Sequence, residues 1–354
     1  MSPSAGTHQP FAAGPGGTTW NRITRSWAIV AIVGLVLFVA RPAIAHEVGD
    51  VVPRVDGEAI RAMVEENMDE FDIPGLALVV VKGPEIALLD GFGLADPENG
   101  ILVDPNETVF RIASVSKPLT ALAVLRAASD RLLDLEADIN AYLDFTVDDF
   151  EGTPATSAAI LTHTAGFEDR AIGSMTKDPE AIEPLSDWLP SNVPARLAAT
   201  GDAQSYSNHA YALVGHVLER ATGVDFRDYT QTELFEPLGM GSTTFDAVEP
   251  DGAAVGYLGT AGDRTAEEMA YLHNFPAGGA FTTANDMGKL IVSLLGFESD
   301  VMTVEMRSAM LEPSYRPLPE VPGRTAGGLG ERSVTGTRGV GPSGDIGPCG
   351  AEWW

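Results

Sequence analysis

Phe110-Arg-Ile-Ala-Ser-Val-Ser-Lys-Pro118 leads directly into Leu119-Thr-Ala-Leu-Ala-Val-Leu-Arg-Ala-Ala128. The second segment is apolar on nearly every side, so it predicts a helix buried in a core rather than one lying on a surface. Pro118 suits the first turn of such a helix, where its missing N–H costs little. Ser114 and Lys117 are three residues apart, which puts them on one face, one turn from each other. An ammonium buried there is desolvated, and desolvation favours the neutral amine. A neutral amine can take the proton of a serine hydroxyl. Ser114-Val-Ser-Lys117 therefore reads as an activated nucleophile that needs no histidine.

The tetrapeptide alone is not specific. Ser174-Met-Thr-Lys177 has the same pattern but stands among Gly173, Asp178 and Pro179, with no apolar helix after it. The helix that follows Ser114 separates the two. Among 354 residues, 44% are hydrophobic, enough for a sizeable core. Fifty Asp and Glu face 22 Lys and Arg, a net charge of −28, and only Lys82, Lys117, Lys177 and Lys289 are lysines. No basic patch is available to follow phosphates, which argues against nucleic acid as a partner. Such an acidic, lysine-poor surface suits a protein kept soluble in high salt; an ordinary solvated acidic surface is the alternative.

Residues 1–45 are expected to stand outside the fold. Arg22 and Arg25 precede the apolar run Trp27-Ala-Ile-Val-Ala-Ile-Val-Gly-Leu-Val-Leu-Phe-Val-Ala40, and Arg41-Pro42 leads to Ala43-Ile-Ala45. The run is short for a membrane span. Positive flank, apolar stretch and A-x-A predict a secretory signal cleaved after Ala45, with an uncleaved membrane anchor through residues 27–40 as the alternative. Either way the protein is expected to be exported. Cys349 is the only cysteine, so no internal disulfide supports the fold. Asn106-Glu-Thr108 is a glycosylation sequon.

Residues 46–354 read as one α+β domain. Asp56 is placed to cap a helix in which Ile60, Met63, Val64, Met68 and Phe71 recur at helical spacing, until Pro74-Gly75 stops it. Leu76–Val81 and Ile86–Leu89, joined by Lys82-Gly-Pro84, predict an antiparallel hairpin. The stretch from about 117 to 245 reads as mostly helical, with one clear helix over Tyr211–Arg220 ending at Thr222-Gly223. Another helix follows Thr283, over Met287–Leu295, and Gly and Pro are dense from 312 onward. Hairpin, helical middle and Gly-rich return predict an antiparallel sheet with a helical subdomain beside it.

Tyr206-Ser-Asn208 lies 92 residues after Ser114, just before a helix. A phenol near a lysine ammonium ionises more easily, so Tyr206 is a candidate to hold or relay a proton. Asn208 offers an amide to a substrate carbonyl or to the lysine. An ordinary helix start with a packing tyrosine is the alternative.

Taken together, Phe110–Lys117, Ile160-Leu-Thr-His-Thr-Ala-Gly166, Tyr206-Ser-Asn208, Leu234-Phe-Glu-Pro-Leu-Gly-Met240 and Gly278-Gly-Ala-Phe-Thr-Thr283 resemble the serine β-lactamase and penicillin-binding family. They are most similar to its class C β-lactamase-like branch, which includes D-alanyl-D-alanine carboxypeptidases and esterases. The likeness runs from about residue 57 to 345. It implies an acylated Ser114, a proton network of Lys117 and Tyr206, a substrate amide on Asn208, and the Ser114 backbone N–H as half of an oxyanion hole. His163 falls in a segment that shapes a turn in this family, so it is not taken as a base. No cofactor is implied. The substrate would be a small amide or ester: a β-lactam, a D-alanyl peptide or a small ester.

The family's third motif is a cation or histidine, then Ser or Thr, then Gly, on a strand lining the site. The best placed counterpart is Pro342-Ser-Gly344, which makes Ser343 and Gly344 candidate substrate contacts. Proline removes both the side-chain donor and a strand N–H. The family would continue beyond Trp354 with more strands and a closing helix, so the C-terminal part of the fold is expected to be missing, and Trp353 and Trp354 to lack a place to be buried. A catalytically impaired relative that binds peptidoglycan-like ligands without turnover is therefore the rival reading.

Three other patterns are set aside. Gly339-Val-Gly-Pro-Ser-Gly344 satisfies a dinucleotide fingerprint but no helix follows it. No G-x-S-x-G occurs. His209 and His216 share a helix at a spacing that does not suit zinc, so no metal site is expected.

Overall fold

The computed structural model describes residues 55–353, apart from 247, 260–262, 298, 335–336 and 347, together with the backbone of a strand at Val30–Val36. The hairpin expected after the first helix forms from Gly75–Lys82 and Glu85–Asp96, with Gly83 at φ +61° in the turn. Leu76 to Val81 are all buried, because this strand is covered on both faces. Leu76, Leu78 and Val80 pack with Val64 of the helix Gly57–Phe71. Ala77, Val79 and Val81 point the other way, into the main core with Met287 and Ile291 of the helix Ala284–Leu294. Strand alternation thus distributes one apolar run between two helical layers.

Sequence capping signals are met locally. Asp56 accepts from the Ala59 N–H, Ser207 from that of Ala210, and Thr283 from that of Asp286. Gly223 closes the helix Asn208–Thr222 in the left-handed region. The helix Ser116–Ser129 is buried from Ser116 through Leu125, as its all-round apolar sequence predicts. Elsewhere the middle of the chain is less helical than expected. Between Leu161 and Asn208 only short turns, the four-residue helix Leu185–Trp188 and the two-residue strand Met175–Thr176 interrupt loops among the described residues. Repeated Gly, Pro, Asp and Thr there favour turns over helix continuation.

The main sheet runs in the order Ser343–Ile346, Cys349–Trp353, Val30–Val36, Gly75–Lys82, Glu85–Asp96, Ile101–Leu102. Its pairs are antiparallel except that Val30–Val36 lies parallel to both of its neighbours. The expected sheet is antiparallel apart from this one strand, whose residues belong to the apolar run 27–40. Seven apolar residues rich in Val and Ile suit a central strand as well as a signal core, and here they satisfy two rows of backbone N–H and C=O groups. The proposed cleavage point at Ala45 lies outside the described residues. No helix among the described residues is long and apolar enough to cross a membrane.

The C-terminal tail is also better ordered than expected. Cys349–Trp353 pairs antiparallel with Ser343–Ile346, and Trp353 is buried in the main core. Alternation directs Cys349, Ala351 and Trp353 inward. Residues 313–341 build a separate four-stranded antiparallel sheet beside the helical subdomain.

Candidate active site

Ser114 lies in a tight helical turn, Ala113–Val115, that runs straight into the helix Ser116–Ser129. Ala113, just before it, has φ +46°, a left-handed backbone that alanine adopts only under strain. The turn is held from outside. Ile112 N–H donates to Ala280 O at 3.1 Å, Ser116 Oγ accepts from Ala280 N–H at 3.0 Å, and Thr120 Oγ1 donates to Pro276 O at 2.6 Å. Gly278-Gly-Ala-Phe281, one of the family-like segments, therefore clamps the nucleophile.

Lys117 is buried at the foot of the site. Its Nζ donates to Asn208 Oδ1 at 2.7 Å, to Ala277 O at 2.7 Å and to Ser114 Oγ at 3.1 Å. Burial lowers its pKa to about 7, and the negative charge of Asp169 opposes part of that fall. Tyr206 OH lies 2.6 Å from Ser114 Oγ and 3.2 Å from Asn208 Oδ1. The residue as a whole is 42% exposed, but its hydroxyl end meets these two partners. The sequence argument had Lys117 easing ionisation of this phenol. The structure reverses the sign: burial raises the Tyr206 pKa, only partly offset by its bond to Ser114, so the phenol keeps its proton.

His163 occupies the turn expected of it, at φ +59°. Its ring lies under Tyr206 and Tyr211, with centroids 4.6 and 5.1 Å away. Burial holds its pKa well below the usual value, so it is a neutral platform. Behind it, the Arg324 guanidinium is close enough to favour ionisation of Tyr206 and Tyr211, although burial dominates both phenols.

Sequence reasoning missed Asp169, which accepts from both Asn208 N–H and Asn208 Nδ2 at 2.8 Å. It also missed the carbonyl of Ala277. Each stands just outside a quoted segment, Asp169 three residues past Gly166 and Ala277 directly before Gly278. Burial pushes the Asp169 carboxyl upward, but Asn208 and the His209 ring, 3.7 Å away, bring it below the ordinary range.

The strand Ser343–Ile346 packs against the nucleophile turn. A Cβ on Gly344 would fall 2.6 Å from Ile112 O and 2.7 Å from Ser114 N, so only glycine allows this approach. Asp345 lines the cleft, whereas Ser343 is exposed and does not. The cleft, of about 430 Å³, opens over Ser114 and Asn208 and is bordered by Arg170, Glu267, Glu268 and Asp345. The second Ser-x-x-Lys is used otherwise: Ser174 Oγ donates to Ala171 O at 2.7 Å, and Lys177 pairs with Glu267 and Glu268 at 3.2 and 3.5 Å. Among the described residues no group of His, Cys, Asp and Glu could hold a metal ion.

Known proteins share sequence and fold with this chain. Esterase EstB of Burkholderia gladioli is 32% identical over 211 residues, 55% of this chain and 53% of that protein. The D-alanyl-D-alanine-carboxypeptidase/endopeptidase AmpH of Escherichia coli K12 is 27% identical over 175 residues, 48% of this chain and 45% of that protein. The chain therefore spans about half the length of these curated relatives. The octameric penicillin-binding protein homologue from Pyrococcus abyssi superposes with a TM-score of 0.70 at 23% identity, covering 83% of this chain and 69% of that one. A class C β-lactamase from Rhodobacter sphaeroides gives 0.64 at 22% identity, covering 83% and 89%. These two share the fold. The family profile itself matches residues 60–353, and the chain belongs to the Beta-lactamase family.

Proposed function

We propose that the chain is an exported serine hydrolase that forms an acyl-enzyme on Ser114 with an ester or amide substrate. One observation carries this reading. Lys117 has three acceptors, and two of them, Asn208 Oδ1 and Ala277 O, are fixed. A neutral amine has two hydrogens to give them and one lone pair left, which faces Ser114 Oγ. Lys117 then takes the Ser114 proton as Oγ attacks the carbonyl carbon. The Ser114 N–H, against which Gly344 packs, is placed to stabilise the oxyanion. Tyr206 donates its proton to the leaving group and is reprotonated from Lys117. Water then attacks the acyl group, its proton returns to this network, and Ser114 is freed.

The cleft bears on the substrate. A carboxylate would meet no cation on the edge strand, because Pro342 stands where Lys or His is expected and Asp345 lines the cleft. Glu267 and Glu268 add negative charge that Lys177 only partly neutralises, so the lining sets three carboxylates against the guanidinium groups of Arg111 and Arg170. This favours small neutral or basic esters and amides over β-lactams and D-alanyl peptides, which carry a carboxylate. Pro342 is also what favours the rival reading, a relative that binds such peptides without turnover. Export rests on the positive flank, the apolar run and Ala43-Ile-Ala45.

The test is a fluorophosphonate label followed by turnover of a matched pair of chromogenic esters, one neutral and one carboxylate-bearing. One adduct on the Ser114 peptide, absent in Ser114→Ala, with faster turnover of the neutral ester, is expected. An adduct that survives Ser114→Ala would refute the nucleophile. Labelling without turnover of either ester would favour the binding reading.

A further inference from the structure

The Asn208 amide has an accepting end and a donating end, and the site works only in one orientation. Lys117 Nζ donates to Oδ1 at 2.7 Å, and Tyr206 OH lies 3.2 Å from the same oxygen. Turning the amide over would set its NH2 against the hydrogens of Lys117, which cannot accept there. Asp169 is what opposes that turn. A carboxylate only accepts, and this one takes Asn208 N–H on Oδ1 and Asn208 Nδ2 on Oδ2, each at 2.8 Å. The loop carrying Asp169 is itself anchored. Ser205 Oγ donates to Phe167 O at 2.7 Å, Ser207 Oγ to Glu168 O at 2.9 Å, and Glu168 N–H to Ala195 O at 3.0 Å.

We propose that Asp169 is a positioning residue for the acylation step, fixing the Asn208 amide so that its oxygen, and not its nitrogen, faces Lys117. This rests on the reading of Lys117 as the base of a Ser114 hydrolase. It also adds to the role the family resemblance implies for Asn208: its oxygen belongs to the proton network, one amide hydrogen is held by Asp169, and the other is left for a substrate carbonyl. The charged and titratable groups around Asp169 are Lys117, His209, His163, Tyr206 and the adjacent Glu168 and Arg170. Of these, Lys117 is the one whose proton the reaction uses.

Because the chain has only four lysines, labelling lysine with carbon-13 at Cε gives four signals to titrate by NMR. In the full chain the Lys117 midpoint is expected near 7. In Asp169→Asn it should fall by on the order of one unit, since the opposing charge and the fixed acceptor are both lost. Lys82, Lys177 and Lys289 should be unmoved, which reports an intact fold. Ester kcat/KM in that variant should fall roughly 10- to 100-fold, the loss typical of one charge-assisted hydrogen bond. The exchange Asp169→Asn with Asn208→Asp restores an amide facing a carboxylate and keeps an oxygen toward Lys117. It should regain about tenfold over the single variant, measured at its own pH optimum. An unmoved Lys117 midpoint in Asp169→Asn, or an exchange variant no better than the single one, overturns the proposal. Absence of Ser114-dependent turnover in the unsubstituted chain would count against the hydrolase reading alone, because the lysine titration reads Asp169 without turnover.

Discussion

Lys117 has three acceptors and, when neutral, two hydrogens, and its chemistry follows from that mismatch. Protonated, it fills all three and offers Ser114 no lone pair. Its pKa of about 7 therefore sets an acidic limb: ester kcat/KM should rise with pH through about 7 and level off above it. A limb near the ordinary lysine value would mean that burial does not tune this amine. Lys117→Arg keeps the charge at every accessible pH, so acylation of Ser114 should drop by roughly 10²–10⁴-fold without recovering at high pH. Mass spectrometry of the adduct against time checks this. Tyr206, whose pKa is raised, should show no ionisation below the alkaline range in an ultraviolet titration.

Among the elements, the edge strand Ser343–Ile346 and the nucleophile turn depend on each other. Gly344 comes so close to Ile112 O and Ser114 N that a methyl group there would force them apart. Gly344→Ala should cost about 1–3 kcal/mol of stability by overpacking. It should also lower turnover by up to about 10²–10³-fold if the oxyanion donor moves with the turn. Thermal melting and ester kinetics on the same preparation separate the two effects. Unchanged kinetics with a lowered melting point would make the strand a packing element only. Ala113 at φ +46° belongs to the same device, a turn held in strain by Ala280 and Pro276 so that Ser114 meets Lys117.

For the whole molecule, two features call for separate tests. The first is charge. A net −28 destabilises the compact state by self-repulsion, and salt screens it, so the melting temperature should rise from low to molar KCl. A flat or falling curve would remove any case for adaptation to high salt. The second is the strand Val30–Val36, which joins Cys349–Trp353 to Gly75–Lys82. Without it, two central strands present open edges. A chain beginning at His46 should melt lower and associate more, as read by calorimetry and size-exclusion chromatography. Equal behaviour of the two chains would show that the strand is dispensable, as a cleaved signal would be.

The sequence by itself determined the local pieces of this protein. Caps at Asp56, Ser207 and Thr283, the hairpin turn at Gly83, and the buried helix after Ser114 are written in residues a few positions apart, where backbone sterics and short hydrogen bonds decide. Ser114 and Lys117 were legible for the same reason, being one helical turn from each other. Tyr206 and Asn208 became legible only through the order of five family-like segments. Only the tertiary structure decided what a fold brings together from afar. Asp169 holding Asn208, Ala277 O on Lys117, the sign of the Tyr206 shift and the place of Val30–Val36 between two strands depend on burial and on partners distant in the sequence, 160 residues away for Ala277 and Lys117. An apolar run carries no mark of which neighbour will cover it, and a phenol none of how far its hydroxyl will stand from water. Both are properties of the packed interior, where loss of solvent outweighs the preference of any one residue.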